Sequence, residues 1–365
     1  MTRIAIVHEW LDSYAGSERV LEQMLIAFPE ADLFALCDFL PENERGFLNG
    51  RVPRTSFIQR MPFARKRFRN YLQLMPIAVE QFDLSGYDVV LSSSHAVAKG
   101  AITGPGQRHI SYVHSPMRYA WDLQHQYLRE AGLTRGLKSL YTRWLLHKLR
   151  MWDQASAARP DVLLGNSTYI AERIRKAWGR EAGVLHPPVD LDGFPMQRDK
   201  AGHFLVASRQ VPYKRVELVV EAFAGMPDLV LKVAGDGPSG PRVRAAAAGA
   251  QNVHVLGRVS RGELIGLTQS ARAFVFAAEE DFGIAMVEAQ AAGTPLIAYG
   301  KGGAVDIVQP GETGLLFREQ SVPAIQAAVR EFLAGPGIAP EACRANAERF
   351  SEQGFREALQ AMVGS

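Results

Sequence analysis

Cysteine is nearly missing from this chain: Cys37 and Cys343 are the only two in 365 residues. They lie far apart without metal-type spacing, so the sequence offers no disulfide framework and fits a reducing compartment. Long apolar runs are missing as well. None reaches the roughly 18 residues of a membrane-spanning helix, and the opening MTRIAIVHEW lacks the n-region, h-region and cleavage site of a signal peptide. The expected location is therefore the cytoplasm. No repeat of solenoid length occurs, and no low-complexity tract exceeds the alanine run at 245–248, which argues against an array architecture. The glycine turn in HEWLDSYAGSERV is not the GxGxxG dinucleotide fingerprint. The histidines show no ligand spacing, and no metal or cofactor is expected.

What is present is apolar sequence in short pieces. With 47% hydrophobic and 22% charged residues, the chain can bury a large core and is long enough for two domains of ordinary size. Runs rich in Val, Ile and Leu alternate with longer helical patterns, the signature of α/β architecture with parallel sheets covered on both faces. The first series predicts strands at 3–7, 32–36, 52–57, 88–91, 109–113, 161–164 and 182–185, with helices at 17–28, 65–80 and 168–178 and a long polar-aromatic region at 117–158. The second predicts strands at 203–207, 229–234, 253–256, 273–277, 296–299 and 315–317. Between them lies HPPVDLDGFPMQRDKAG, where two adjacent prolines forbid helix and a later proline and glycine keep the chain irregular. This segment holds a DxD, Asp190-Leu191-Asp192, that could be mistaken for a Mg²⁺ or Mn²⁺ clamp. The prolines place it in a connector rather than at a sheet end.

Charge is uneven. Residues 1–186 carry 24 Lys+Arg against 18 Asp+Glu, whereas the remainder carries 17 against 20. A basic first half suits an anionic partner. The densest stretch is RMPFARKRFRNYL, with Arg60, Arg65, Lys66, Arg67 and Arg69 interleaved with Met61, Phe63, Phe68 and Tyr71. It reads either as a contact with a membrane surface or lipid phosphate, or as the solvated face of a helix packed on a core. No nucleic-acid-binding motif accompanies it.

The strongest chemical signal is AAEEDFGIAMVEAQAAGTP, which follows an apolar strand and runs into a helix. Glu280 is expected in the strand-to-helix loop, with Phe282-Gly283 at the turn and Glu288 further along the helix. Glycine there lets backbone amides approach a ligand, and amides at a helix start suit an anion or sugar hydroxyls. The plainer alternative is that these carboxylates cap a helix start. One unit upstream, ASRQVPYKRVELVVEAF places Arg209 at a strand end and Lys214 before the next helix. Two such cations can hold a diphosphate and offset the charge that builds as a sugar leaves, without a metal. Glycine loops AGDGP, LGRVS and GKGGAVD fall at neighbouring strand ends, where ligands of parallel sheets bind. They suggest Gly257, Arg258 and Val259 for a nucleobase edge and Gly302 with Gly303 for sugar or phosphates.

In the first half, HEWLDSYAGSERV puts Gly16 at a helix start, where it could cradle phosphate or acceptor. SYVHSPMRYAWD places His114 directly after a strand, with Tyr112, Arg118, Tyr119, Trp121 and Asp122 close by, a plausible sugar platform or else a satisfied loop histidine.

On Arg209 with Lys214, Glu280 with Glu288, AYGKGGAVD, HPPVD and SYVHSPMRYAWD, the chain resembles glycosyltransferase family four, and within it bacterial O-antigen and exopolysaccharide mannosyltransferases that use GDP-mannose. The resemblance implies a GT-B fold: an acceptor-binding Rossmann-like domain at 1–186, a linker at 187–202, a donor-binding Rossmann-like domain at 203–348, a deep cleft between the two, and a helix at 349–365 that crosses back to the first domain. It implies a retaining, metal-independent hexosyltransferase. Arg209 and Lys214 would contact the donor diphosphate, Glu280 and the Phe282-Gly283 amides the donor sugar, and Glu288 the ribose. His114 would lie by the reacting sugar. The implied acceptor is a saccharide linked to polyprenyl diphosphate in surface-polysaccharide synthesis, with Arg65, Lys66, Arg67, Arg69, Tyr112, Arg118 and Tyr119 serving acceptor or membrane contact at the inner face of the cytoplasmic membrane. Where many relatives have two glycines, this sequence reads Ala15-Gly16. A UDP-sugar transferase, a nucleotide-sugar epimerase or phosphorylase on the same fold, and a non-catalytic partner-binding protein remain as alternative readings.

Overall fold

The structure is a computed structural model and describes residues 2–364. It divides into two compact units, one running to His186 and resuming at Phe355, the other Pro187–Gly354. In the first unit the strands are β1 (Ile4–Leu11), β2 (Asp32–Asp38), β3 (Arg54–Thr55), β4 (Val89–Ser94), β5 (Arg108–Val113), β6 (Val162–Gly165) and β7 (Gly183–Val184). They pair in the order β3-β2-β1-β4-β5-β6-β7, every pair parallel. The second unit contains β8 (His203–Ala207), β9 (Val230–Ala234), β10 (Val253–Gly257), β11 (Ala273–Phe276), β12 (Leu296–Tyr299) and β13 (Gly314–Phe317). Their order is β10-β9-β8-β11-β12-β13, again all parallel.

Successive strand residues point to opposite faces, and each sheet is covered on both. In β1, Ala5 and Val7 join Phe34, Val90 and Met117 on one side, while Ile6 joins Leu91 and Tyr112 on the other. That second face is closed by the helix Gly16–Ala27, whose Val20, Leu21, Met24 and Leu25 form an inward stripe. Phe355 and Leu359 of the final helix, Glu352–Gly364, are buried in the same core. Each such side chain contributes about 1.5–3 kcal/mol. In the second unit, Val216, Val219, Val220 and Phe223 of the helix Val216–Ala224 follow the i, i+3, i+4, i+7 spacing of an amphipathic helix and pack against Phe204, Val206 and Val275.

Three expectations are altered. The helix expected at 65–80 is broken into Ala64–Arg67, a 3₁₀ segment Phe68–Leu74 and a new helix Met75–Glu80. Pro76 lies in the first turn of that last helix, where a missing N–H costs nothing, and its ring does not allow the helix to run through from upstream. The polar-aromatic region 117–158 resolves into Gln124–Glu130 and Leu137–Ser156, separated by left-handed Gly132 and Gly136. The segment read as a linker is no loose connector: Val189, Leu191 and Phe194 are buried with Phe274 and Phe350.

Candidate functional site

Strand order reverses between β1 and β4 in one sheet and between β8 and β11 in the other. At such a switch point the connections leave toward opposite faces, and a crevice opens outside the carboxyl ends of the strands. The chain after β8 supplies Ser208 and Arg209, and the chain after β11 supplies the loop that carries Glu280.

Three glycines set these loops. A Cβ on Gly235 would fall 2.0 Å from the Ser208 carbonyl oxygen, and one on Gly302 would fall 2.2 Å from that of Glu280. Gly302 is also left-handed (φ +70°), and the Gly303 amide donates to the Glu280 carbonyl at 2.9 Å. The contact that the structure gives Gly302 and Gly303 is therefore with the loop bearing Glu280, which they hold by its backbone. Lys214 ends the 3₁₀ turn Pro212–Lys214, after which Arg215 takes a left-handed backbone (φ 53°) before its helix begins. This costs an arginine about 1–2 kcal/mol. Lys214 forms an ion pair with Glu280, and the two side chains are only 13% and 17% exposed. Across 66 residues of sequence, the cation and the carboxylate thus meet at the switch point.

Beside them lies a cavity of about 250 Å³. Phe194, Val259, Leu264 and Phe274 give it apolar walls, and Arg209, Arg258 and Glu288 bring charge to it. Gly257 is left-handed (φ +71°) and turns the chain out of β10 so that Arg258 and Val259 reach the wall. Phe282 packs its ring on Phe350 at 5.5 Å, which fixes the turn into the helix Ile284–Ala291. Gly283 opens that helix at φ 100°, and Glu288 projects from it into the cavity.

In the first unit a polar cluster occupies the matching strand ends. Glu9 is fully buried, and its Oε1 accepts hydrogen bonds from the amides of Ala96, Val97 and Ala98 at 2.7, 2.8 and 2.9 Å. His95 N and Ser94 Oγ donate to the same oxygen. Burial opposes its ionisation, but His95 and these amides prevail and hold the carboxyl below its usual range. His114 Nε2 lies 2.9 Å from Ser93 Oγ, with its ring edge-on to Tyr112 at 5.1 Å. Burial, together with repulsion from His95 and His8, lowers the His114 pKa to about 3. It is consequently a neutral imidazole near pH 7, able to exchange hydrogen bonds but carrying no charge. His8 Nε2 in turn lies 3.5 Å from Glu18 Oε1.

Two family models match the chain. Glycosyltransferase Family 4 covers residues 14–192, and Glycosyl transferases group 1 covers 195–350. The D-rhamnosyltransferase WbpZ of Pseudomonas aeruginosa is 29% identical over 237 residues, 60% of each chain. A GDP-mannose-dependent monoacylated α-(1-6)-phosphatidylinositol monomannoside mannosyltransferase of Corynebacterium glutamicum is 31% identical over 48% of this chain and 54% of its own. The chain thus matches about half to three fifths of the length of these curated relatives. Among solved structures, Anabaena HepE in complex with UDP and glucose superposes with a TM-score of 0.71 over the full length of both chains at 15% identity. The lipopolysaccharide outer core galactosyltransferase WaaB gives 0.66 at 17% identity over 99% of each. The chain has the GT-B fold, with one glycosyltransferase family model matching each half.

In this GT-B chain the structure brings Arg209, Arg258, Val259 and Glu288 to one cavity and sets the Lys214–Glu280 pair at the adjoining strand ends. Gly16 is the exposed first residue of its helix, where the Glu18 carboxylate accepts from the Ala15 amide at 3.0 Å. Arg65, Lys66, Arg67 and Arg69 are all exposed, and Arg69 pairs with Asp12 at 2.7 Å and stacks on Phe68 at 4.5 Å. Tyr112 is corrected: at 1% exposure it is a core residue, packed on Phe355, and it can neither touch a membrane nor meet an acceptor at the surface. Tyr119 is mostly withdrawn beside Tyr127, and Arg118 is half-buried at the same turn. Asp190 and Asp192 answer to different arginines, Arg261 at 2.8 Å and Arg344 at 3.6 Å. Among the described residues, no group of His, Cys, Asp and Glu is placed to hold a metal ion, and no helix is long and apolar enough to cross a membrane. Sequence reasoning missed Glu9, His95, Ser93 and the cavity wall Phe194. The polar run SSSH at the end of an apolar strand was the available signal for His95 and Ser93.

Proposed function

We propose that this chain is a retaining hexosyltransferase that moves mannose from GDP-mannose onto a saccharide carried by a polyprenyl diphosphate, without a metal. The observation that carries the reading is the convergence of Arg209, Arg258 and Glu288 on one cavity beside the Lys214–Glu280 pair. At about 250 Å³ the cavity is smaller than the ~300–1,000 Å³ of a full ligand cleft. It suits the nucleoside end of a donor, with Glu288 accepting from the ribose and the Arg258–Val259 edge meeting the base. The diphosphate then lies toward Arg209 and Lys214, and the sugar toward Glu280.

In this reading the bond from the sugar anomeric carbon to the diphosphate oxygen breaks, and the acceptor hydroxyl oxygen bonds to that carbon on the same face. The hydroxyl proton passes to the leaving diphosphate. Arg209 and Lys214 stabilise the negative charge as it develops, Lys214 exchanging part of its contact with Glu280 for the phosphate. His114, neutral and anchored on Ser93, serves as a hydrogen-bonding group of the first unit. The mannosyl donor rests on the match to a GDP-mannose-dependent relative. A UDP-sugar donor is the second reading, favoured by the full-length likeness to a protein crystallised with UDP and glucose.

The test is binding and hydrolysis of GDP-mannose, GDP-glucose, UDP-glucose and UDP-N-acetylglucosamine in EDTA, with wild type and Glu280→Ala. Chelator-resistant turnover of GDP-mannose, abolished by the substitution, is expected. Preference for a UDP-sugar would overturn the donor, and no binding of any of the four would overturn the transferase reading.

A further inference from the structure

The helix Leu137–Ser156 has two apolar faces, and the fold uses one. Leu146 and Leu149 are buried with Asp153, whose Oδ1 accepts from the buried Lys99 at 2.5 Å. On the other face Leu137, Leu140, Tyr141, Trp144 and Met151 are exposed by 85, 66, 53, 54 and 54%. Their spacing places them on a single stripe, and Lys148 fills its remaining position, with Nζ 5.9 Å from the centre of the Trp144 ring.

Charge around this stripe has one sign. From Ala131 to Trp152 there is no acidic residue, while Arg135, Lys138, Arg143, Lys148 and Arg150 are all basic. Tyr141 donates to Gln73 Oε1 at 2.8 Å, which ties the stripe to the 3₁₀ segment Phe68–Leu74. That segment directly follows the exposed Arg65, Lys66 and Arg67 and an exposed Phe63, 78% accessible.

We propose that this face of the first unit docks on an anionic lipid bilayer. Tryptophan, tyrosine and leucine side chains flanked by lysine and arginine are suited to the boundary between headgroups and acyl chains. A protein partner fits less well, because lysine is depleted where proteins bury surface against each other. The inference deepens the lipid-linked acceptor reading but needs no transfer activity, so its failure leaves the donor assignment standing.

The test is co-sedimentation of the full chain with vesicles of phosphatidylglycerol and phosphatidylethanolamine, and separately with vesicles of phosphatidylcholine. Wild type is expected to partition onto the anionic vesicles, to bind phosphatidylcholine weakly, and to be released by salt. Leu140→Ser with Trp144→Ser removes apolar contact, and Lys138→Glu with Lys148→Glu reverses charge; each pair should weaken partitioning about tenfold or more. These side chains are exposed, and circular dichroism with an unchanged thermal midpoint checks that each variant folds. Equal binding to both vesicle types, no binding to either, or wild-type binding by both variants would overturn the proposal. So would sedimentation showing a wild-type dimer that Leu140→Ser with Trp144→Ser dissociates, since a second copy would then be the occupant.

Discussion

If Gly302 and Gly303 hold the Glu280 loop in place, adding one methyl group at either should loosen donor binding, and the size of the effect can be built from three substitutions. Gly249→Ala places alanine at φ +84° with nothing within 4 Å of the new Cβ, so it costs only backbone strain, about 1–2 kcal/mol. Gly303 has an ordinary φ of −64°, but its Cβ would fall 2.3 Å from Phe282 Cα. Gly303→Ala therefore costs only overpacking, about 1–3 kcal/mol. Gly302→Ala combines a φ of +70° with a contact 2.2 Å from the Glu280 oxygen, and should cost about 2–5 kcal/mol.

The cost can appear in two places. If the loop stays put, the whole of it lowers folding stability; if the loop yields, Glu280 shifts and affinity for the donor falls by up to about 30- to 4,000-fold. Backbone on both sides of the contact favours yielding by the loop, because Gly302 and Gly303 are pinned between β12 and the next helix. Calorimetric titration with the nucleotide-sugar, set beside urea midpoints, separates the two. Gly249→Ala should lose stability and keep wild-type affinity, while Gly302→Ala and Gly303→Ala should lose affinity. If Gly302→Ala binds donor as tightly as Gly249→Ala does, the glycines are not what positions Glu280.

Lys99→Met should destabilise by about 3–5 kcal/mol, because it strands the carboxylate of Asp153 in a site with 0% exposure. Adding Asp153→Asn, which keeps an acceptor for Trp121 and Trp178, should recover part of that; a Lys99→Met loss under about 1 kcal/mol in urea unfolding would contradict the account. Burial lowers His109 to about 4 and His114 to about 3 from an ordinary 6.5. The unfolded chain therefore binds protons first, so stability is complete above 6.5 and falls as pH drops below it, by about 2 kcal/mol per histidine at pH 5. His109→Gln should flatten this dependence, and an unchanged slope between pH 7.5 and 5 would remove histidine burial as its cause. Burial also pushes the thiols of Cys37 and Cys343 up to about 12, so neither should react with a disulfide reagent until the chain unfolds. Stoichiometric labelling of the native protein would show that one of them is reachable.

Where the signals are local, the sequence was legible. The helix expected at 168–178 has those bounds because Ser167 accepts from the Ile170 amide at 3.1 Å and Gly179 ends it at φ 68°; cap, helix and stop all lie within a dozen residues. The strands read well for the same reason, since each is a short apolar run whose neighbours are turns. The helix expected at 65–80 failed because its apolar spacing was counted without the consequence of Pro76 for the turns before it. A proline-rich stretch read as a connector hid three apolar residues, Val189, Leu191 and Phe194, and only a packed core showed that they belong to the second unit.

The candidate site was legible by residue type and illegible by pairing. Arg209 and Lys214 stood out as charge between a strand and its helix, and Glu280 and Glu288 as carboxylates around a later strand-to-helix turn, but charge alone directs all four toward a ligand. The fold instead joins Lys214 to Glu280 and leads Arg209 and Glu288 to the cavity. That choice depends on Arg215 accepting a left-handed backbone and on glycines two strands away letting the chain pass within a van der Waals radius of Glu280. Glu9 is the sharper case. Its five donors lie 85 to 89 residues along the chain, and only the adjacency of β1 and β4 at the strand-order reversal brings them to one oxygen. A carboxylate in an apolar strand invites the reading of an exposed edge; here it is the group that ties down the segment bearing His95, and the parallel register of the two strands makes it so.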